Sequence, residues 1–337
     1  MAALTRAAGF ADSNAGIHLP AATRTAARNS NSSGRSGDAA SASVVVPLPL
    51  PAALQPPLLD TPQASVKRVK TVADFELLKV LGRGAYGKVF LVRRVPTAAT
   101  IAAHSARARA NDVLAMKVMR KKELIERNVV DNVRIERNVL SGLDHPYIVR
   151  MRYAFQTEHK LYLLMNYVPG GELFTLLERE GAFTERQARF YAAQVVLALE
   201  YLHERNILYR DLKPENVLFD AAGHAVLTDF GFAKQHAESQ ENLSFCGSLH
   251  YLAPEIVLRK AHSKPADWWT LGCLLHEMLT TRTAFAGENR AEIQEQILNK
   301  QINYPRTLTP ECISLMKGLL TRDQVRARSY FRTRSFS

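Results

Sequence analysis

The pattern of hydrophobic and polar positions divides this chain into segments of different character. Residues 1–70 are rich in Ala, Ser, Asn and Pro and carry little periodic apolar pattern, which predicts a disordered extension. Three segments then alternate as β-strands do, and they are Phe75–Leu81, Lys88–Arg94 and Val113–Met119. An Ala-rich stretch, residues 96–112, precedes the third of these and is expected to be an exposed loop insertion.

Within the extension, Val44–Leu59 is apolar but interrupted by prolines. Proline fixes φ and removes a backbone donor, so this segment is not expected to form a helix. Two interpretations remain open, an extended linker and a short docking segment. The first forty residues also contain several arginines and few acids, as mitochondrial transit peptides do.

Two later segments have the periodicity of amphipathic helices. The first extends from about Lys122 to Leu140, and its stripe consists of Val129, Val133, Glu136 and Leu140. The second begins at Thr184, which forms a capping box with Gln187. Its expected buried positions are Ala188, Tyr191, Val195, Leu199 and Leu202. Strands early and helices late predict an α+β fold with a small β-rich lobe, a larger helical lobe and a hinge near residues 165–171.

The acid on the first helical stripe needs a partner, because an unpaired buried charge is costly. Alternation along the third strand places Ala115, Lys117 and Met119 on one face. We therefore expect Lys117 to pair with Glu136. The alternative is that the two are unrelated surface charges.

Composition narrows the possible classes of protein. The chain has 337 residues, a formal net charge of +12 and 47% hydrophobic residues, which is enough for a large core. Its basic residues form no block of five or more, so dispersed surface charge is favoured over a nucleic-acid site. The three cysteines are few and widely spaced, which implies neither a disulfide framework nor a zinc site and fits a reducing compartment. No apolar run reaches the roughly 18 residues of a membrane span.

The richest chemistry lies in Tyr209–Asn216, together with the Asp-Phe-Gly triplet that begins at Asp229. Asp211 could orient and deprotonate an acceptor hydroxyl, and Lys213 could neutralise a moving phosphoryl group. Asn216 and Asp229 could hold magnesium ions. Either fragment alone could belong to an ordinary loop, but both in this order favour phosphoryl transfer from a nucleotide.

A glycine pattern occupies Gly82, Gly84 and Gly87. By itself it is a weak signal, because dinucleotide-binding folds share it, but in those folds a helix follows the glycines. Here the β-like run Lys88–Val92 follows, so the glycines are expected to form a hairpin whose amides can approach phosphates.

These motifs resemble the catalytic and magnesium loops of eukaryotic protein kinases. Tyr209 stands where most kinases have histidine, as in the AGC group, and Phe75–Phe90 is similar to the ribosomal-protein and mitogen- and stress-activated kinases. The resemblance extends over about residues 74–328 and implies a bilobal kinase fold, with lobes at about 74–165 and 171–328 and an unassigned tail at 329–337. It implies a serine/threonine kinase that uses ATP and Mg²⁺ in the cytoplasm or nucleus, with mitochondria as the alternative.

The resemblance also implies roles for individual residues. The catalytic residues are Asp211, Lys213, Lys117 and Glu136, and the metal ligands are Asn216 and Asp229. The nucleotide-binding residues are Leu81, Gly82, Arg83, Gly84, Ala85, Tyr86, Gly87, Lys88, Val89, Ala115, Lys117, Met165, Asn166, Val168, Glu172, Leu218 and Thr228. Asn166 replaces the acid that is usual at the hinge, where its backbone could still bind adenine.

Substrate choice and regulation follow from the same resemblance. The residues expected at the substrate are Glu172, Glu215, Glu277 and Ser248, and the three acids favour arginines that precede the acceptor. Ser244 is expected to be phosphorylated by an upstream kinase, and Arg210 and Lys234 would hold the phosphate. Asp267 and Glu255 resemble scaffold residues of the large lobe.

After Arg328 the resemblance stops, so we expect the large lobe to be truncated and the C-terminal tail of the family to be absent. Two other classes remain as alternatives. One is a pseudokinase scaffold, against which the retained Lys117, Asp211, Asn216 and Asp229 argue. The other is a basic nucleic-acid-binding protein, for which no binding motif is present.

Overall fold

The fold comes from a computed structural model that describes residues 71–84, 87–95, 113–235, 246–261 and 263–323. Several sequence predictions fall outside these ranges. They are the extension at 1–70, the loop insertion at 96–112, the phosphosite Ser244, the loop residues Ala85 and Tyr86, and the chain after Asp323.

The small lobe is a five-stranded antiparallel sheet with the strand order β1-β2-β3-β5-β4. Its strands are β1 Phe75–Gly84, β2 Gly87–Arg94, β3 Val113–Arg120, β4 Met151–Gln156 and β5 Lys160–Asn166. The three strands that the alternation predicted are present and extend one to three residues further. β3 lies at the centre, so one of its faces looks to the helical lobe and the other to a separate apolar cluster that includes Phe75 and Tyr162.

The predicted helix from Lys122 to Leu140 is wrong, because two helices occupy this region. They are α1 Lys121–Glu126 and α2 Val130–Ser141. Asn128 breaks the periodicity with a φ of 52°, a left-handed conformation that asparagine tolerates better than most residues. Val129 is therefore the residue that precedes α2, and the buried residues of α2 are Val133, Glu136, Val139 and Leu140.

The large lobe is mainly helical. Its helices are α3 Leu173–Glu180, α4 Glu185–Glu204, α5 Pro254–Val257, α6 Pro265–Thr280, α7 Arg290–Asn299 and α8 Pro310–Leu319. The predicted capping box at Thr184 and Gln187 is present at the start of α4. Four of the five expected core positions on α4 are buried, whereas Tyr191 is only partly buried. Among the described helices, α6 has the largest number of buried residues.

Short strands hold the two loops that carry the chemistry. They are β6 Ile207–Leu208, β7 Val217–Phe219, β8 Ala225–Leu227 and β9 Lys234–Gln235. β7 pairs with β8, and β6 pairs with β9. The first pairing places Asn216, just before β7, beside Thr228, just after β8, and the Thr228 amide donates to the Asn216 carbonyl at 2.9 Å.

The two lobes share one apolar core that runs from α2 and β3 to α4 and α6. Backbone hydrogen bonds reinforce it, since Leu227 donates to the Tyr147 carbonyl at 2.8 Å and Val149 donates to the Leu227 carbonyl at 2.9 Å. The α+β architecture predicted from the order of strands and helices is confirmed. Within the described ranges, no helix combines the length and apolarity needed to cross a bilayer.

Candidate active site

Three elements bring a lysine and two carboxylates together between the lobes. The Lys117 ammonium on β3 lies 2.7 Å from Glu136 Oε1 on α2 and 3.5 Å from Asp229 Oδ1 after β8. The Lys117 side chain is 15% exposed, that of Glu136 2% and that of Asp229 28%. Glu136 is therefore enclosed, whereas Asp229 keeps a surface that a bound group can reach.

The charges of this cluster support one another. Burial lowers the pKa of Lys117, but attraction to Glu136 and Asp229 outweighs it and raises that pKa above its usual range. The same lysine lowers the pKa of Asp229. Burial raises the pKa of Glu136, and Lys117 opposes that rise. At neutral pH the cluster therefore presents a charged lysine and an ionised Asp229.

A second cluster surrounds Asp211, which is 4% exposed. The Lys213 ammonium donates to Asp211 Oδ2 at 2.9 Å, and the Asn216 amide donates to the same oxygen at 2.8 Å. The Ser248 hydroxyl donates to Asp211 Oδ1 at 2.9 Å and accepts from Lys213 at 2.7 Å. One oxygen of Asp211 is thus oriented by nitrogen donors, and the other already accepts a hydroxyl group.

Asp267, at the start of α6, holds the backbone before Asp211 in place. It is fully buried, and its Oδ1 accepts the Arg210 amide at 2.7 Å. Its Oδ2 accepts the Tyr209 amide at 2.9 Å and faces His203 Nε2 at 2.7 Å. Arg210 has a φ of 66°, which is uncommon for a residue with a side chain, and these bonds stabilise that conformation.

The register of the sheet aligns several predicted nucleotide-binding residues. Val89 pairs with Lys117, and Ala115 pairs with Met165, so these side chains share the face of the sheet that carries Lys117. Glu172 forms an isolated bridge with Leu218, which brings the segment after β5 onto β7. The exposed Asn166 ends β5, and the partly buried Val168 follows it.

Gly87 has a steric role that the sequence did not suggest. A Cβ on Gly87 would lie 1.9 Å from the Val118 carbonyl oxygen, whereas a Cβ on Gly82 would meet nothing within 4 Å. Glycine is therefore required at the start of β2 because β3 passes so closely. At the sequence level, the expected reason for glycine here is that the absence of a side chain lets phosphate approach the backbone. Close packing against β3 is a second reason for glycine. Of the other loop residues, Leu81 and Arg83 are on β1 and exposed, Gly84 ends β1, and Lys88 on β2 is exposed.

The predicted metal ligands suit a cation that shares its coordination with phosphate. Among the described residues, no group of three or more His, Cys, Asp or Glu side chains is placed to hold a metal ion. Asn216 and Asp229 are held on the paired ends of β7 and β8 and offer oxygen donors. Mg²⁺ is usually bound by one or two such ligands plus phosphate and water, so this pair fits Mg²⁺.

The three acids assigned to the substrate form one electronegative region. Burial raises the pKa of Glu172 and that of Glu277, and the charge of Glu215 raises both further. Glu215 Oε2 is buried and has no hydrogen-bond partner within the described part of the chain. The Tyr251 hydroxyl donates to Glu277 Oε2. A buried carboxylate oxygen without a donor is costly, so this region favours a bound cation.

The pairing of β6 with β9 brings the backbone of Lys234 close to the segment that contains Arg210. Lys234 on β9 pairs with Leu208, two residues before Arg210, and the Arg210 Nε donates to the Phe232 carbonyl at 2.7 Å. Gly247 passes so close that its Cβ would lie 2.8 Å from the Arg210 carbonyl. Ser244 itself lies outside the described residues.

Two contributors were missed at the sequence level. His203 contacts Asp267 from a distance of 64 residues, and Tyr251 contacts Glu277 from 26 residues away. No local pattern marks either contact, because each joins residues that are far apart in the sequence.

Comparison with known proteins places this geometry in a family. Residues 75–331 match the protein kinase domain. The chain is 44% identical over 261 residues, 77% of its length, to the serine/threonine-protein kinase AtPK2/AtPK19 of Arabidopsis thaliana, of which it covers 52%.

Two animal relatives give the same result. The chain is 47% identical over 252 residues to the putative ribosomal protein S6 kinase alpha-1 of Caenorhabditis elegans and 45% identical over 252 residues to human ribosomal protein S6 kinase alpha-3. Each alignment includes 74% of this chain and covers 31% and 33% of the relative, respectively. The chain thus spans between about a third and about half of the length of these relatives, and the resemblance to ribosomal-protein kinases is confirmed.

Proposed function

This chain belongs to the protein kinase family, and we propose that it transfers a phosphoryl group from ATP to serine or threonine hydroxyls of other proteins. The observation that carries the proposal is the contact of Lys117 with both Glu136 and Asp229. It joins the sheet, α2 and the loop after β8 into one charged site, with the Asp211 cluster in the neighbouring loop. The relatives described above are named as a serine/threonine-protein kinase and a ribosomal protein S6 kinase.

Each residue of the site would have a distinct role in the reaction. Asp211 would orient the acceptor hydroxyl and accept its proton late, because a serine hydroxyl is too weak an acid to be deprotonated beforehand. Lys213 would place a positive charge beside that hydroxyl, and Lys117 would hold nucleotide phosphates. Asn216 and Asp229 would hold the metal. ATP and Mg²⁺, when bound, would supply the phosphoryl group and neutralise its charge.

Transfer of radiolabelled phosphate to an arginine-rich serine peptide tests this function. We expect transfer by the wild type and a loss of about a hundredfold or more in Asp211→Asn, because general base catalysis and hydroxyl alignment are both weakened. A matched control is Asp131→Asn, since Asp131 is an exposed carboxylate on α2 that pairs only with Arg134 among the contacts seen. Equal and measurable transfer by Asp211→Asn and the wild type would show that the reaction does not use Asp211. No transfer by either would show that the chain works as a scaffold.

We further propose that the enzyme selects acceptors with arginines upstream, of the form Arg-x-x-Ser or Arg-x-Arg-x-x-Ser. The support is the electronegative region formed by Glu172, Glu215 and Glu277, with its unpartnered oxygen on Glu215. A guanidinium is always charged and can pair with a carboxylate through two hydrogen bonds.

Glu172→Ala should weaken the selection of arginine three residues before the acceptor. The measurement is kcat/KM for two peptides that differ only by arginine or alanine at that position. Glu178→Ala is the control, because Glu178 is an exposed acid on the neighbouring helix α3. A peptide array that favours acidic or proline-directed sites would overturn the proposal.

The same peptide pair gives a test by pH. Since the pKa values of Glu172 and Glu277 are raised, these acids gain protons at a higher pH than an exposed glutamate, whose pKa is about 4.3. Protonation removes the charge that attracts arginine. The KM for the alanine peptide divided by the KM for the arginine peptide should therefore fall towards one as the pH is lowered from 7. This fall should occur at a higher pH than the titration of exposed carboxylates.

Activation by phosphorylation of Ser244 is the remaining part of the proposal. Gly247, three residues after Ser244 in the sequence, lies against the Arg210 carbonyl, and β9 pairs Lys234 with Leu208, two residues before Arg210. A phosphate on Ser244 would add charge that Arg210 and Lys234 can bind.

Ser244→Ala should prevent activation by an upstream kinase, whereas Ser239→Ala, a change five residues earlier in the sequence, should not. Mass spectrometry and specific activity, measured on the same samples, provide the check. A fully active enzyme with unmodified Ser244 would contradict the switch.

A further inference from the structure

The sheet has an apolar groove on the face opposite the active site. The groove has a volume of about 450 Å³ and is lined in part by Leu77, Phe90, Met116 and Val118. Met116 and Val118 flank Lys117 on β3, so strand alternation turns them away from Glu136 and Asp229. Phe90 pairs with Met116, and Tyr162 pairs with Val118, which places both aromatic rings on this same face.

The floor of the groove is packed, and its side remains open. Met116 is 1% exposed and Tyr162 6%, whereas Leu77 at the edge is 54% exposed. An exposed leucine beside aromatic side chains is an apolar surface that a bound segment can cover. Val72 also lines the groove, so the described part of the chain begins at this place.

The charge of the rim restricts what can bind. Among the described residues that line the groove, four are cations, and they are Arg83, Lys88, Arg120 and Lys160. The one acid among these described residues is Glu123, which already pairs with Arg120 at 3.3 Å. A cationic segment would be repelled, and an uncharged apolar segment with free carbonyl groups would suit both the apolar floor and the donors at the rim.

We propose that the groove binds the end of the proline-interrupted segment of this same chain, residues Pro56–Leu59. These four residues are Pro, Pro, Leu and Leu and carry no charge. The stretch that follows contains Lys67, Arg68 and Lys70, which the rim disfavours. A proline-rich strand in the polyproline conformation has no internal hydrogen bonds and docks in aromatic-lined grooves at a low cost in entropy.

The residues between Leu59 and Val72 are enough to let the segment reach the groove and few enough to keep it close. Twelve residues separate Leu59 from Val72, which can span at most about 40 Å when fully extended. A linker of this length gives an effective concentration in the millimolar range, so even weak intrinsic binding fills the groove. Binding would cover the back of the strand that carries Lys117.

Photo-crosslinking in the full-length chain tests the proposal. A benzophenone amino acid at position 58 should crosslink to the tryptic peptide that contains Phe90 or to the one that contains Met116. The same probe at position 65 is the control, since it is nearer to Val72 in sequence but lies in the cationic stretch. Equal crosslinking from both positions would mean that the tether alone brings the chain there and would overturn the proposal.

Substitution of the groove provides the second comparison. Leu77→Asp should lower the yield from position 58 about tenfold, the effect of losing one apolar contact of ordinary size. Leu258→Asp is the matched control, because Leu258 lies in the large lobe and is 48% exposed. Unchanged yield in Leu77→Asp overturns the proposal.

Mixing ¹⁵N-labelled and unlabelled chains separates binding within one chain from binding between copies. Isotopically pure crosslinks support the proposal. Mixed crosslinks whose yield rises with concentration contradict it, because the occupant would then be a second copy. Crosslinks that fall only outside the groove contradict it as well.

Discussion

Asp229→Ala should lower phosphoryl transfer by hundreds-fold or more while the chain stays folded. Asp229 is the carboxylate that Lys117 keeps ionised, and it is the more exposed of the two acids on that lysine. The loss of a metal or phosphate contact of this kind costs several kcal/mol of barrier. The measurement is kcat/KM together with a thermal unfolding curve, and activity within about twofold of the wild type would refute the assignment.

Lys117→Met should abolish transfer as well, but it also leaves Glu136 buried without its cation. An uncompensated buried charge can cost about 3–5 kcal/mol of stability, so a loss of activity alone would be ambiguous. The double variant Lys117→Met with Glu136→Leu removes both charges. We expect it to regain most of the lost stability and none of the activity.

A matched surface pair controls for the loss of an ion pair. Lys122 lies 3.9 Å from Glu126, and its side chain is 87% exposed. Lys122→Met should leave both stability and transfer nearly unchanged, because exposed ion pairs contribute about 0–1 kcal/mol. Recovery of transfer in the double variant would contradict the role of Lys117 at the nucleotide.

Asp267→Asn should reduce stability and transfer together, although Asp267 touches no expected substrate. The amide group has one oxygen, so it cannot accept from both the Tyr209 and Arg210 amides and also satisfy His203. Each buried donor left without an acceptor costs about 1–3 kcal/mol, out of a typical total of 5–15 kcal/mol. We expect Tm to fall by at least about 5 °C and the backbone before Asp211 to lose its fixed conformation.

Asp220 provides the control for the Asp267→Asn prediction. Its Oδ1 also accepts two backbone amides, those of Ala222 and His224, both at 2.8 Å, but its side chain is 38% exposed. Water can replace a lost acceptor there, so Asp220→Asn should change Tm by much less. Equal changes in Tm for the two variants would show that burial around Asp267 does not matter as argued.

Three strands of the five-stranded sheet, the motifs and one ion pair could be predicted from the sequence. The alternation at β3 placed Lys117 on the inner face, and the acid on the helical stripe required a partner, which the structure supplies at 2.7 Å. The capping box at Thr184 could also be predicted, because both of its residues lie within one turn. The roles of the site residues in binding and catalysis stay predictions.

The break between α1 and α2 could not be predicted in the same way. The apolar spacing continues through Asn128, and no proline or glycine interrupts it. Asn128 adopts the left-handed conformation, and α2 after it packs so that Glu136 reaches Lys117. Such packing overrides a periodic pattern whenever the gain in contacts exceeds the small helix preference of a few residues.

The sequence by itself determined the α+β class, the strand faces and the identity of the charged groups, because periods of two and 3.6 residues and adjacent motifs are local properties. Only the tertiary structure decided which distant residues meet. It placed Asp267 under the amides of Tyr209 and Arg210, Ser248 between Asp211 and Lys213, and Val118 against Gly87. These contacts depend on strand register and on how helices pack, and a single buried carboxylate or glycine looks the same in sequence whichever partner the fold brings to it.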